Sequence, residues 1–133
     1  MKQDEREKLI IYRLACAHEA VRESGILVQQ ELLRGATNRL YYAMFYSAIA
    51  ALATRDVYPK THKGVRQQLG LLFVVPGILS RQLGDAYSEL FERRHSGDYD
   101  DFVHIDGETV TRLSVHAVEL IEEIERIIAQ RVL

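Results

Sequence analysis

Asn38-Arg39-Leu40-Tyr41-Tyr42-Ala43-Met44-Phe45-Tyr46-Ser47-Ala48 is the stretch whose reading settles the fold. It lies within residues 37–54, which are apolar almost all round and include Ala43, Ala48, Ala50, Ala51 and Ala53. A helix of that composition has little solvent face of its own, so it belongs at the centre, with neighbours approaching over the small side chains. Arg39, Tyr42 and Tyr46 fall close to one face, while Tyr41 and Phe45 form a second row. Aromatics at such spacing read first as core. Arg39 does not fit that reading, because a guanidinium in a mostly apolar helix needs an anionic partner or a route to water. An acid on the fourth helix or a bound phosphate would serve.

Working outward, residues 4–24 repeat apolar side chains at Ile10, Leu14, Ala17 and Val21, one face of a first helix. Gly25 is expected to end or kink it, with a short helical piece over 26–34 and a second break at Gly35. On the other side, residues 56–61 read as a loop and 62–73 as a short third helix. Residues 74–77, with Pro76 and Gly77, read as a turn. A fourth helix is expected over 78–94, ended by Ser96-Gly97-Asp98. A last helix over 108–131 carries Leu113, Ala117, Leu120, Ile124, Ile127 and Ile128 in a near-heptad stripe. No strand-like alternation is present. The expectation is an all-α fold: an up-and-down antiparallel bundle of four long helices plus one or two short ones, forming a single domain over 1–133.

The chain of 133 residues suits one domain, and its formal net charge of −2 provides no global basic field to draw it to nucleic acid. Any such contact must be local. The one cysteine, Cys16, excludes an internal disulfide and a cysteine zinc site, and reads as a small buried hydrophobe. Residues 1–7 are charged, with no signal-type apolar region after them. The apolar-rich run 40–53 is too short to span a bilayer, so a cytoplasmic protein without membrane association is expected.

Two charged segments could carry chemistry. In Lys60-Thr61-His62-Lys63-Gly64-Val65-Arg66, Thr61 is placed to cap the following helix, whose N-terminus attracts anions; a solvated basic turn is the plainer reading. Arg55 and His62 satisfy a loose Arg-x6-His spacing that is common by chance. The richer segment is Glu92-Arg93-Arg94-His95-Ser96-Gly97-Asp98-Tyr99-Asp100-Asp101. Paired arginines suit a helix C-terminus and also hold phosphate bidentately. His95 exchanges protons near neutral pH, and Tyr99 offers a hydroxyl or a stacking face. Glu92 and His95 form a Glu-x-x-His half-motif, but His18, His104 and His116 lack the matching glutamate, and no glycine-rich phosphate loop is present. No metal or cofactor is therefore called for.

Residues 38–48, together with Lys60-Thr61-His62-Lys63-Gly64 and with Arg94 followed by Asp98-Tyr99, resemble the small prokaryotic HEPN proteins (higher eukaryotes and prokaryotes nucleotide-binding). The resemblance covers residues 37–102, in the same order and at similar distances. It implies a helical bundle, often a homodimer, encoded beside a minimal nucleotidyltransferase. In such pairs the HEPN member is an RNase toxin and the nucleotidyltransferase its antitoxin. The family's RNase signature is arginine, a polar residue, spacers, then histidine. Here Arg94 and His95 match the first two positions, and Tyr99 stands where the histidine is expected. In some members a tyrosine after the signature is AMPylated by the partner, and Tyr99 is the nearest candidate. Two readings follow. One is a nucleotide- or RNA-phosphate-binding partner of a nucleotidyltransferase, with Arg39, Tyr42, Arg93, Arg94, Asp98 and Tyr99 as binding residues. The other is an active metal-independent RNase using Arg94 and His95, with Tyr99 nearby.

Overall fold

Small side chains set the architecture. In the computed structural model, which describes residues 1–95 and 105–131 (for His95, the backbone alone), Ala36, Ala43, Ala48, Ala50, Ala51 and Ala53 all lie fully buried on one helix, α2 (Leu33–Ala53). With no bulk beyond Cβ, they let other helices close on α2 from several sides. Helix α1 (Gln3–Gln29) docks Ala17 and Ala20 beside Ala43, with Ile121 of α5 (Gly107–Gln130) completing that cluster. Helix α3 (His62–Leu69), continued by a π-helical turn over Gly70–Val74, and α4 (Arg81–His95) pack on the remaining sides. The largest buried cluster runs through Leu40, Tyr41, Phe73, Tyr87, Leu113 and Leu120.

Polar pairs fix the helix directions. Ser24 donates to the Ala36 carbonyl at 2.9 Å while Glu23 meets Arg39, so α1 and α2 run antiparallel. The Ser80 amide donates to Glu123 and Arg112 donates to Glu89, so α4 and α5 are antiparallel. Glu7 with Arg131 and His18 with Glu125 set α1 antiparallel to α5. The four long helices thus form the expected up-and-down bundle with one short helix, and the described residues contain no strand.

The helix ends differ from expectation. Helix α1 passes straight through Gly25, and α2 begins before Gly35. Glycine inside a helix costs only about 1 kcal/mol against alanine, which the packing of α1 on α2 offsets. A Cβ at Gly35 would sit 3.4 Å from Leu27, so that glycine marks close helix approach instead of a break. The chain actually turns at Glu31, whose φ is 60°, with the Leu32 amide closing on the Leu27 carbonyl at 2.8 Å. Asp56, with φ 59°, ends α2 in the same way, the Val57 amide closing on Leu52. These are left-handed C-caps made by acidic residues in place of glycine. The remaining boundaries shift by a few residues. Ser80, accepting from the Leu83 amide, starts α4 later than Ile78, and Asp106, accepting from the Thr109 amide, starts α5. Thr61 caps α3 as expected, accepting from the Gly64 amide at 2.9 Å. Cys16 is half-buried instead of fully enclosed.

Because a Cβ at Gly25 would meet nothing within 4 Å, Gly25→Ala is expected to stabilise the protein by about 0.5–1 kcal/mol. A thermal melt reads this as a rise of a few degrees, and a fall would show that α1 is not continuous there.

Candidate functional site

The site grows from one face of α2. Asn38, Tyr42 and Tyr46 are four residues apart and so stack along the helix. All three are half-buried, at the edge of the core that Tyr41 enters. The last turn of α4 brings Arg94 onto this face. Its Nη1 donates to Asn38 Oδ1 and its Nη2 to Tyr42 OH, each at 2.8 Å. The guanidinium carbon lies 4.9 Å from the Tyr42 ring centre and 5.5 Å from that of Tyr41.

The chemistry of those partners matters. Both acceptors are neutral, and no carboxylate pairs with Arg94 among the described residues. Its neighbours differ: Arg66 pairs with Glu92 at 2.7 Å, Arg93 with Glu89 at 3.6 Å, and Arg39 with Glu23 at 3.5 Å. Among the described residues, Arg94 is thus oriented by hydrogen bonds and ring faces, with no carboxylate set against its charge. A site of that kind favours an anion with oxygens to accept from the guanidinium edge.

Arg39 also leans over Tyr42, at 5.0 Å, so two guanidinium groups share one aromatic ring. Its carboxylate partner comes from α1 and not from the fourth helix, because α1 is the neighbour that the outer face of α2 meets there. Arg93, one residue from Arg94, turns toward α5 and Glu89. Adjacent helical residues point about 100° apart, so the two arginines do not form a clamp. Asp98, Tyr99 and the side chain of His95 lie outside the described residues.

Sequence spacing missed Asn38 and set His62 beside the wrong partners. Asn38 lies one turn before Tyr42 and holds Arg94 across 56 residues, a pairing visible only once α4 is placed. His62, at the start of α3, stacks on Phe45 with ring centres 4.2 Å apart and planes within 6°. Its Nδ1 lies 2.6 Å from the Tyr41 hydroxyl. Burial pushes the Tyr41 hydroxyl well above the ordinary tyrosine range, with Arg94 opposing, so this phenol keeps its proton. Arg55 lies over Phe73 at 4.7 Å, away from this network, so the Arg55–His62 spacing defines no site. Arg66 is taken up by Glu92 and the Phe91 ring, which removes it from the basic turn before α3. Glu92 in turn accepts from Arg66 at 2.7 Å.

Below the site, Glu89 anchors α4 to α5. Arg112 donates to it twice, at 3.0 and 2.8 Å, and holds its carboxyl below the ordinary value of 4.5, against the opposing effect of partial burial. The folded state therefore binds this proton less readily than the unfolded chain. The contribution is complete above pH 4.5 and is lost as pH falls through the lowered folded value. Glu89→Gln is expected to destabilise the protein at pH 7 by less than about 1 kcal/mol, the pair being partly in water. The difference should shrink in denaturant melts below pH 4. An undiminished difference at low pH would mean the pair is held by packing alone.

The fold and the site define a class of protein: an all-α helical bundle that holds an arginine against half-buried tyrosines at the end of one helix. Comparison with known proteins gives the family. The HEPN domain family profile matches residues 12–128, and the chain belongs to that family. A UPF0332 protein of Thermotoga maritima is 34% identical over 125 residues, covering 94% of this chain and 95% of its own. Two proteins of Methanocaldococcus jannaschii, named "Putative toxin MJ0605" and "Putative toxin MJ0142", are 34% and 33% identical. They align over 74% and 78% of this chain and 73% and 68% of their own lengths. No helix among the described residues is long and apolar enough to cross a membrane.

Proposed function

We propose that the chain binds the phosphate of a nucleotide or of RNA at Arg94, as the partner of a minimal nucleotidyltransferase in a toxin–antitoxin pair. One observation carries the phosphate reading: Arg94 is held by Asn38, Tyr42 and two ring faces, with no acid to satisfy it among the described residues. Asn38 and Tyr42 orient the guanidinium; Arg39, partly engaged by Glu23, adds positive potential. Asp98 and Tyr99 complete the proposed ligand set from the sequence. The nucleotidyltransferase, the homodimer and a cytoplasmic setting rest on the family resemblance and the chain's composition. Calorimetric titration with ATP and with a short single-stranded RNA tests the binding reading. Saturable binding of either is expected, and heat of dilution alone for both would overturn it. Co-purification with a nucleotidyltransferase encoded beside this chain tests the pairing.

A second reading is an active metal-independent RNase in which Arg94 steadies the phosphorane charge and His95 moves the proton; the word toxin in the names of the two M. jannaschii relatives fits it. Growth arrest on expression that disappears in His95→Ala is its expected result. Arrest-free growth, with intact RNA after incubation with the pure protein, rejects it.

A further inference from the structure

A second arginine has the same unusual setting as Arg94. Arg13, on α1, lies with its guanidinium carbon 5.6 Å from the ring centres of both Tyr12 and Tyr46. The residues one turn away on its own helix are Leu9, Ile10, Cys16 and Ala17, none of them acidic. No ion pair reaches it among the described residues, whereas Arg6, Arg22 and Arg39 each have one. Its Nε is buried with no hydrogen-bond partner. A guanidinium in this state has an unmet donor and an unmet charge together.

Its position gives the observation meaning. Tyr46 lies 5.7 Å from Tyr42, the ring that carries Arg94. Arg13, Tyr46, Tyr42 and Arg94 therefore form one row in which cations flank aromatic rings, all of them at least partly exposed. Tyr12, 60% exposed, extends the row past Arg13. Cations that follow a backbone and rings on which bases stack are the two elements of a single-strand nucleic-acid track. One mononucleotide phosphate would use only one end of it.

We propose that Arg13 is a second phosphate subsite and that the preferred ligand is a single-stranded oligonucleotide whose backbone runs from Arg94 to Arg13 across Tyr42 and Tyr46. This rests on the reading that Arg94 holds a phosphate. The row takes backbone phosphates at its two arginines and a base face at the exposed Tyr12 ring, so it selects for length and single-strandedness and not for sequence.

Fluorescence anisotropy with a labelled eight-nucleotide single-stranded RNA, beside titration with AMP, tests this on the full chain. Arg13→Gln is the informative variant, because glutamine retains part of the stem that packs on the rings while removing the charge. The proposal predicts that Arg13→Gln weakens RNA binding about tenfold and leaves AMP affinity unchanged. It should also make the slope of log K against log salt shallower by about 0.7, the loss of one phosphate contact. Arg94→Ala should weaken both ligands. If Arg94→Ala weakens both and Arg13→Gln leaves RNA affinity and slope unaltered, the second subsite is wrong and the Arg94 reading stands. If the wild-type protein binds neither ligand, the Arg94 reading fails and this inference with it. A change in molar mass of Arg13→Gln by light scattering assigns the row to contact with a second copy and overturns the proposal.

Discussion

Replacing Arg94 by alanine is expected to weaken binding of a phosphate-bearing ligand about ten- to a hundredfold while the helical fold persists. The magnitude follows from charge-assisted hydrogen bonds to phosphate, worth roughly 1.5–3 kcal/mol each. The fold should persist because Arg94 is exposed in the last turn of α4, and water can reach Asn38 and Tyr42 once the guanidinium is gone. Arg94→Lys sharpens the test. An ammonium keeps the charge but cannot bridge Asn38 and Tyr42 while presenting a planar edge to a ligand. Its affinity should fall between those of the wild type and the alanine variant. Calorimetric titration with short RNA measures all three. Equal affinities across the series would show that Arg94 is merely a helix-end cation.

Tyr41→Ala should have the largest effect on stability. The Tyr41 ring is fully buried, packs against Phe45 and Tyr87, and its hydroxyl shares a hydrogen bond with His62. Removing a buried aromatic side chain to alanine costs about 3–5 kcal/mol, through lost burial and the cavity left behind. That is a large share of the roughly 5–15 kcal/mol of a typical domain, and the melting temperature should fall by about 10 °C or more. Tyr41→Phe separates the two contributions, since it keeps the ring and deletes only the hydrogen bond to His62. It should cost about 1 kcal/mol. Denaturant unfolding of both variants measures the difference. A Tyr41→Ala protein as stable as the wild type would contradict the placement of this ring beneath the site.

Much of the fold was legible in residues 37–54, because Ala43, Ala48, Ala50, Ala51 and Ala53 in an otherwise apolar helix leave it no role except a central one, and all five are fully buried. The apolar stripes of α1 and α5 were legible for the same reason of periodicity: Ile10, Ala17, Leu113, Ala117, Leu120 and Ile124 are all buried. Helix ends were harder. Gly25 and Gly35 drew the break that Glu31 actually makes, because a left-handed cap on an acidic residue has no strong local signature. Spacing showed which face Arg39 occupies but not which helix covers that face, so its partner Glu23 on α1 was not foreseen. The same limit hid Asn38 and the pairing of His62 with Tyr41, across 56 and 21 residues. Adjacent arginines looked like one phosphate clamp, yet helical geometry sends Arg93 toward α5 and Arg94 toward α2. The family, by contrast, was legible from short motifs in order, and the match over residues 12–128 bears it out.

The central claim is that Arg94, which has no carboxylate partner among the described residues, makes an anion site on the α2 face. Its most direct test is the salt dependence of single-stranded RNA affinity for the wild type and Arg94→Ala. The account predicts measurable wild-type binding that weakens steeply with salt, with the Arg94→Ala slope shallower by about 0.7 and affinity lower at every salt concentration. Salt-independent binding, or identical lines for the two proteins, would contradict it.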